Sequence, residues 1–224
     1  DSCAAGGVDA NNDHHYFEGC YAQSYTESGF YISGSQCHDI YFLRCAAHDA
    51  GGRKPIGLLT VSGTFFEWHR GAANSNSADF KLGAGEVQVI ISGHNSENSQ
   101  QFLVYPSMSG MPFVNVSNVR WEGQPVAGKP VVDVGGPGPW SFKNMLVSGI
   151  NGVCPMMRIA GGDGSIDLSG ITIRQHGGTM PTGAIVTVPA GFETRAHGIR
   201  YQQIPATGGR VNRRVEINRA MGVQ

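Results

Sequence analysis

The sequence predicts an all-β chain wound as a parallel solenoid of about seven coils. Three observations carry that expectation. A phrase of two short apolar runs split by a polar turn recurs along the chain; residues within each run alternate with a period of two; and glycine is abundant where charge is scarce. Glycine accounts for 33 of 224 residues, about twice its usual share, and charged residues for 15%, against a usual ~25%. That balance favours corners and strands over surface helices.

The phrase is first met as CYAQSYTESGFYISG, beginning at Cys20. Further copies begin at Cys45, Trp68, Ile91, Trp121, Val147 and Ile173, at intervals of 25, 23, 23, 30, 26 and 26 residues. The second apolar run of each copy supplies Ile32, Val61, Leu82, Tyr105, Val134, Ile159 and Val188. Two residues before these stand Phe30, Leu59, Phe80, Leu103, Val132, Met157 and Val186, all apolar. Before the first set the same holds, with Glu18 the one exception. Such alternation marks strands with one buried face.

Strands this short cannot bury a core alone. Stacked coil on coil at ~4.8 Å, they form long parallel sheets around an apolar interior. Trp68 and Trp121 fall on inward rungs and are expected in the core, while glycines and Ser-Gly pairs mark corners that need positive φ. The repeat fades after Pro189, which divides the chain into a solenoid over 1–190 and a last partial coil with a C-terminal tail over 191–224. The opening DSCAAGG reads like the corner RCAAHDAGG at 44–52, with no amphipathic helix to cover the first sheet edge. Open stacks need caps, so the chain is expected to be a fragment or to take its cap from another chain.

Helices are disfavoured, because few stretches place apolar residues at i, i+3, i+4 and i+7. A β-sandwich is disfavoured by the shortage of hairpin dipeptides. A formal net charge of −1 argues against nucleic-acid binding, and no apolar run approaches the ~18 residues of a membrane span. The five cysteines show no CxxC pair and no zinc spacing, so neither metal nor cofactor is expected. Their odd number mildly favours a reducing compartment. Cys20 and Cys45 would lie on consecutive coils as a thiol ladder or a disulfide.

The stretch CYAQSYTESGFYISGSQCHDIYFLRCAAHDAGG resembles coils of the pectate-lyase-like right-handed parallel β-helix superfamily, and most of all those of phage tailspikes and polysaccharide depolymerases. The resemblance rests on a recurring Cys-x-Ala, a turn, then Gly-Phe-x-Ile-x-Gly, and covers roughly residues 1–190. It implies a right-handed β-helix, a polysaccharide substrate, a homotrimer, and a place on a virion tail or on an extracellular or cell surface. The residue signatures of the polygalacturonase, pectate-lyase and alginate-epimerase members are absent, apart from Gly93-His94-Asn95, which reads as a coil corner.

Chemistry belongs to the outward residues, since packing fixes the inward ones. Flanking the first ladder are Arg44, Glu67, His69, Arg120 and Glu122. Glu67, Glu122 and His69 are the candidate catalytic residues: paired carboxylates suit glycoside hydrolysis, and a base beside arginine suits elimination from a uronate. Arg44, Arg120, Tyr31 and Trp140 are the candidate substrate-binding residues, the aromatics for stacking on sugar and Trp140 because it follows a loop. An exposed ladder of ion pairs is the plainer reading of the same cluster. Asp133 and Arg158 are expected to pair across neighbouring coils, and Glu18 either to be buried with His14, His15 or Arg44 or to turn outward. The expected function is a polysaccharide-binding and polysaccharide-degrading solenoid, a hydrolase or lyase; the alternative is a non-catalytic structural or adhesive shaft.

Overall fold

The computed structural model describes residues 14–32, 37–61, 64–85, 87–107, 110–161, 164–179, 183–205, 211–214 and 218–219, the last two stretches as backbone only. The opening DSCAAGG corner, and with it the expectation of a missing cap, lies outside these residues. Within them the chain is all-β, with parallel sheets stacked as a solenoid of about seven coils. No helix among them is long and apolar enough to cross a membrane.

Each coil carries three strands. In the third coil these are Thr64–His69, Ala72–Asn74 and Ala78–Lys81; in the fourth, Gln88–Ser92, Asn95–Glu97 and Leu103–Tyr105. In the fifth and sixth coils the first two strands run together as Phe113–Gly123 and Trp140–Gly149. First and second strands belong to one 15-stranded sheet, and third strands to a separate 8-stranded sheet. Beyond the seventh coil, Phe192–His197 and Arg200–Ile204 continue the stack, and Val211–Arg214 folds back antiparallel on the latter.

A sharp corner separates first from second strand, built the same way on every coil. An inward residue is followed two positions later by one with positive φ, three later by a second inward residue, and five later by a third. The positive-φ column is Gly19, Arg44, Arg70, Gly93, Asn118, Asn144, Gly170 and Gly198, with φ between 52° and 66°. The backbone N–H of these corner residues is not lost to the ladder: that of Arg70, for example, donates to the Ser92 carbonyl one coil above at 2.8 Å.

The inward column of the first strands is Phe17, Phe42, Trp68, Ile91, Val116, Phe142, Leu168 and Ala196, in register throughout. That of the second strands is Ala22, Ala47, Ala73, Ser96, Trp121, Val147, Ile173 and Tyr201. The corner column between them is Cys20, Cys45, Gly71, His94, Val119, Met145, Ile171 and Ile199. Large and small alternate: Phe17, Phe42 and Trp68 face Ala22, Ala47 and Ala73, whereas Trp121 and Tyr201 share coils with Val116 and Ala196. Phe17–Phe42 and Phe42–Trp68 ring centroids lie 5.0 and 5.4 Å apart, and Phe30 and Phe80 meet Trp68 edge-on from the third strands.

Two sequence expectations need correction. The first ladder mixed all three inward columns, taking Cys20 and Cys45 from the corner, Trp68 and Ile91 from the first strand, and Trp121 onward from the second. Every member faces the core, but the 30-residue interval from Ile91 to Trp121 is one 25-residue coil to Val116 plus five residues around the corner. In the second ladder the inward residue of the second coil is Thr60, not Val61, and Leu59 takes the outward place. Thr60 is buried because its hydroxyl accepts the Gly83 N–H at 3.0 Å, while Val61 is exposed.

Candidate functional site

The corner splits the expected cluster in two. Glu67 and His69 stand on a first strand; Arg120 and Glu122 stand on a second strand two coils higher, beyond the bend. Glu67 is in register with Ile90 and Asn115, so it does not share an outward column with Glu122, and the two do not flank one sugar bond. Arg44 occupies the positive-φ corner of the second coil, where its guanidinium reaches outward to Glu18 at 3.9 Å and not to Glu67. Glu18 itself turns outward and accepts the Tyr16 hydroxyl at 3.3 Å.

Trp140 is not a protruding ligand. It opens the inward face of its strand, is 1% exposed, and donates its indole N–H to the Gly136 carbonyl at 3.2 Å. Its neighbours in register are Val114 and Ile166, so the loop does end just before it, but the tryptophan is already an inward strand residue. Tyr31 does face solvent, in an outward column of the third strands with Leu59 and Lys81. Asp133 and Arg158 form the expected pair, with two 2.8 Å hydrogen bonds that raise the guanidinium pKa.

What the structure does bring together lies along the second strands. Ala46 and Ala72 are outward residues in register between Tyr21 and Asn95, and two methyl groups where longer side chains would project leave a groove of about 240 Å³. Its floor is these alanines; Tyr21, His48, Asn74, Asn95 and Glu97 line it. Tyr21 is exposed and shares a 2.9 Å hydrogen bond between its hydroxyl and His48 Nδ1, which fixes the ring at the lower end. At the upper end Glu97 and Glu122 are in register on consecutive coils, and both face Arg120. The Arg120 guanidinium also donates to Asn95 Oδ1 at 3.1 Å, so one cation draws two carboxylates and an amide into one cluster.

A second cleft of about 360 Å³ lies higher on the first strands. Its charges are already matched, Lys143 with Asp167 and Arg195 with Glu193, each at 3.0 Å. Among the described residues no group of three or more His, Cys, Asp or Glu side chains is placed to hold a metal ion.

Inside the core, sequence reasoning missed a polar group. His94 takes the inward corner place of the fourth coil, where its Nδ1 accepts the Trp68 indole N–H at 3.1 Å. Its Nε2 faces Asp79 Oδ2 at 3.4 Å, with both side chains fully buried. Gly71 permits this arrangement: a Cβ there would stand 2.3 Å from Trp68 Nε1. The signal was the phrase Gly93-His94, which the corner rule, once known, turns inward.

The fold and this surface define the protein as a parallel β-solenoid with a polar groove along one sheet. Comparison with protein families, with curated proteins and with solved structures finds no match.

Proposed function

We propose that the protein binds an extended polysaccharide along the groove of its second strands and cleaves it at the Glu97–Arg120–Glu122 end, in the manner of tailspike depolymerases. The single observation that carries the reading is the groove itself: an alanine floor at Ala46 and Ala72 beneath an exposed Tyr21 and a row of amide, imidazole and carboxylate side chains. A sugar ring offers an apolar face and a hydroxyl rim, which an aromatic face and hydrogen-bonding side chains complement. Carboxylates about 5–5.5 Å apart suit retaining hydrolysis, and the ~4.8 Å rise between coils carries Glu97 and Glu122 on matched positions. A bound uronate would be met by Arg120.

Incubation with a panel of bacterial surface and acidic polysaccharides, followed by reducing-end release and absorbance of unsaturated uronates, tests the proposal. Turnover abolished by Glu122→Gln and Glu97→Gln is expected; absence of turnover on every glycan bound would overturn the cleavage step. One observation favours a second reading, a non-catalytic adhesive solenoid: Arg120 already engages both carboxylates as ion-pair partners. That reading predicts glycan binding that survives both substitutions with no product.

A further inference from the structure

We propose that Ser92, His69 and Glu67 form a nucleophilic relay for carboxylic-ester hydrolysis on the outer face of the first strands. The three side chains are joined in series. His69 Nε2 lies 2.7 Å from Glu67 Oε2, and His69 Nδ1 lies 2.5 Å from Ser92 Oγ. A carboxylate can only accept, so Nε2 carries the imidazole proton and Nδ1 presents its lone pair to the serine hydroxyl. This is a nucleophile held by a base that is itself oriented by a third group.

The backbone fixes that geometry. Ser92 and His69 are register partners on adjacent coils, and Glu67 lies two residues from His69 on the same face. The Tyr41 ring packs against the imidazole with centroids 5.0 Å apart. His69 and Glu67 keep 21% and 29% of their side-chain exposure and Ser92 is half-buried, so all three are partly open to solvent. Ser117, in register one coil above Ser92, places a second hydroxyl ~4.8 Å along the stack for the oxyanion. Below His69, Tyr41 and an exposed Tyr16 stack at 5.2 Å as an aromatic platform.

The reaction balances within these groups. Ser92 Oγ attacks the ester carbonyl as its proton passes to His69 Nδ1; the C–O bond to the alcohol breaks, and that alcohol leaves with the proton. Water then attacks the acyl-serine, gives a proton to Nδ1, and releases the acid with Ser92 restored. The tyrosine platform suits an alcohol that is a sugar, so the substrate class is an O-acylated carbohydrate; this last clause alone rests on the glycan reading above.

The test uses the intact protein with a fluorophosphonate, with p-nitrophenyl acetate and with an O-acetylated polysaccharide. Peptide mass spectrometry should place one phosphonyl group on Ser92. p-Nitrophenyl acetate hydrolysis should fall on the order of 10²-fold or more in Ser92→Ala and in His69→Gln, and less in Glu67→Gln and Ser117→Ala. Labelling scattered over other serines, or equal hydrolysis by wild type and Ser92→Ala, would overturn the relay. Labelling and hydrolysis of the small ester, with no acetate released from any O-acetylated glycan, would overturn the carbohydrate assignment and leave the relay standing.

Discussion

The indole N–H of Trp68 donates to Nδ1 of His94 at 3.1 Å, with both side chains buried in the core and packed against Phe80 of the third strand. This bond leaves Nε2 to face the buried Asp79 carboxylate. Removing the imidazole leaves that carboxylate without its donor, and an unsatisfied buried polar group costs about 1–3 kcal/mol, or more when it is charged. His94→Ala should therefore lower unfolding free energy by that much in urea titration. Asp79→Asn keeps an acceptor for Nε2 and removes the buried charge, and should cost less than half as much.

Trp140 and Tyr31 separate scaffold from surface. Truncation of a buried tryptophan costs about 3–5 kcal/mol, and Trp140→Ala also leaves the Gly136 carbonyl without its donor. Tyr31 is exposed, and Tyr31→Ala should shift stability by less than ~0.5 kcal/mol. Denaturant midpoints of the two variants check the assignment.

The corner column makes a prediction with the opposite sign. Arg70 holds φ at 53°, a conformation that costs a side-chain-bearing residue about 1–2 kcal/mol. Arg70→Gly should raise stability by up to ~1 kcal/mol, net of the flexibility glycine adds to the unfolded chain. Its exposed side chain makes the substitution otherwise mild. A lowered denaturant midpoint would contradict the corner geometry.

Alkaline pH should weaken the fold. Burial raises the Tyr25 phenol well above its ordinary range and pushes the Cys154 thiol, ordinarily near 9.0, up to about 12. Both groups keep their protons longer when folded, so their contribution is whole below the unfolded values. It is lost as pH climbs from about 9 toward 12 for Cys154 and higher still for Tyr25. Urea midpoints should hold steady up to pH 8 on account of these groups and fall above pH 9. Cys154→Ala should reduce the fall.

The coil was legible because apolar side chains alternate along a strand: Phe30 and Ile32, or Val132 and Val134, report their inward face by chemistry alone. The split of the site was not. Val116 and Trp121 are both inward on one continuous strand, and no residue type at Asn118 announces the bend between them, since arginine, asparagine and glycine all fill that place in other coils. The same ambiguity hid His94, whose polar ring sits in a core column, and let Thr60 pass for an outward residue. The groove was invisible for a further reason: it is made by what Ala46 and Ala72 lack.

That absence offers the most direct test of the account. Ala72→Phe fills the groove from its floor while leaving the inward Ala73 and the ladder untouched. Calorimetric titration with oligosaccharides of a glycan that the wild type binds should show affinity lost by at least tenfold in this variant, with an unchanged circular dichroism spectrum. Equal affinity in the two proteins would contradict the placement of the glycan site in this groove.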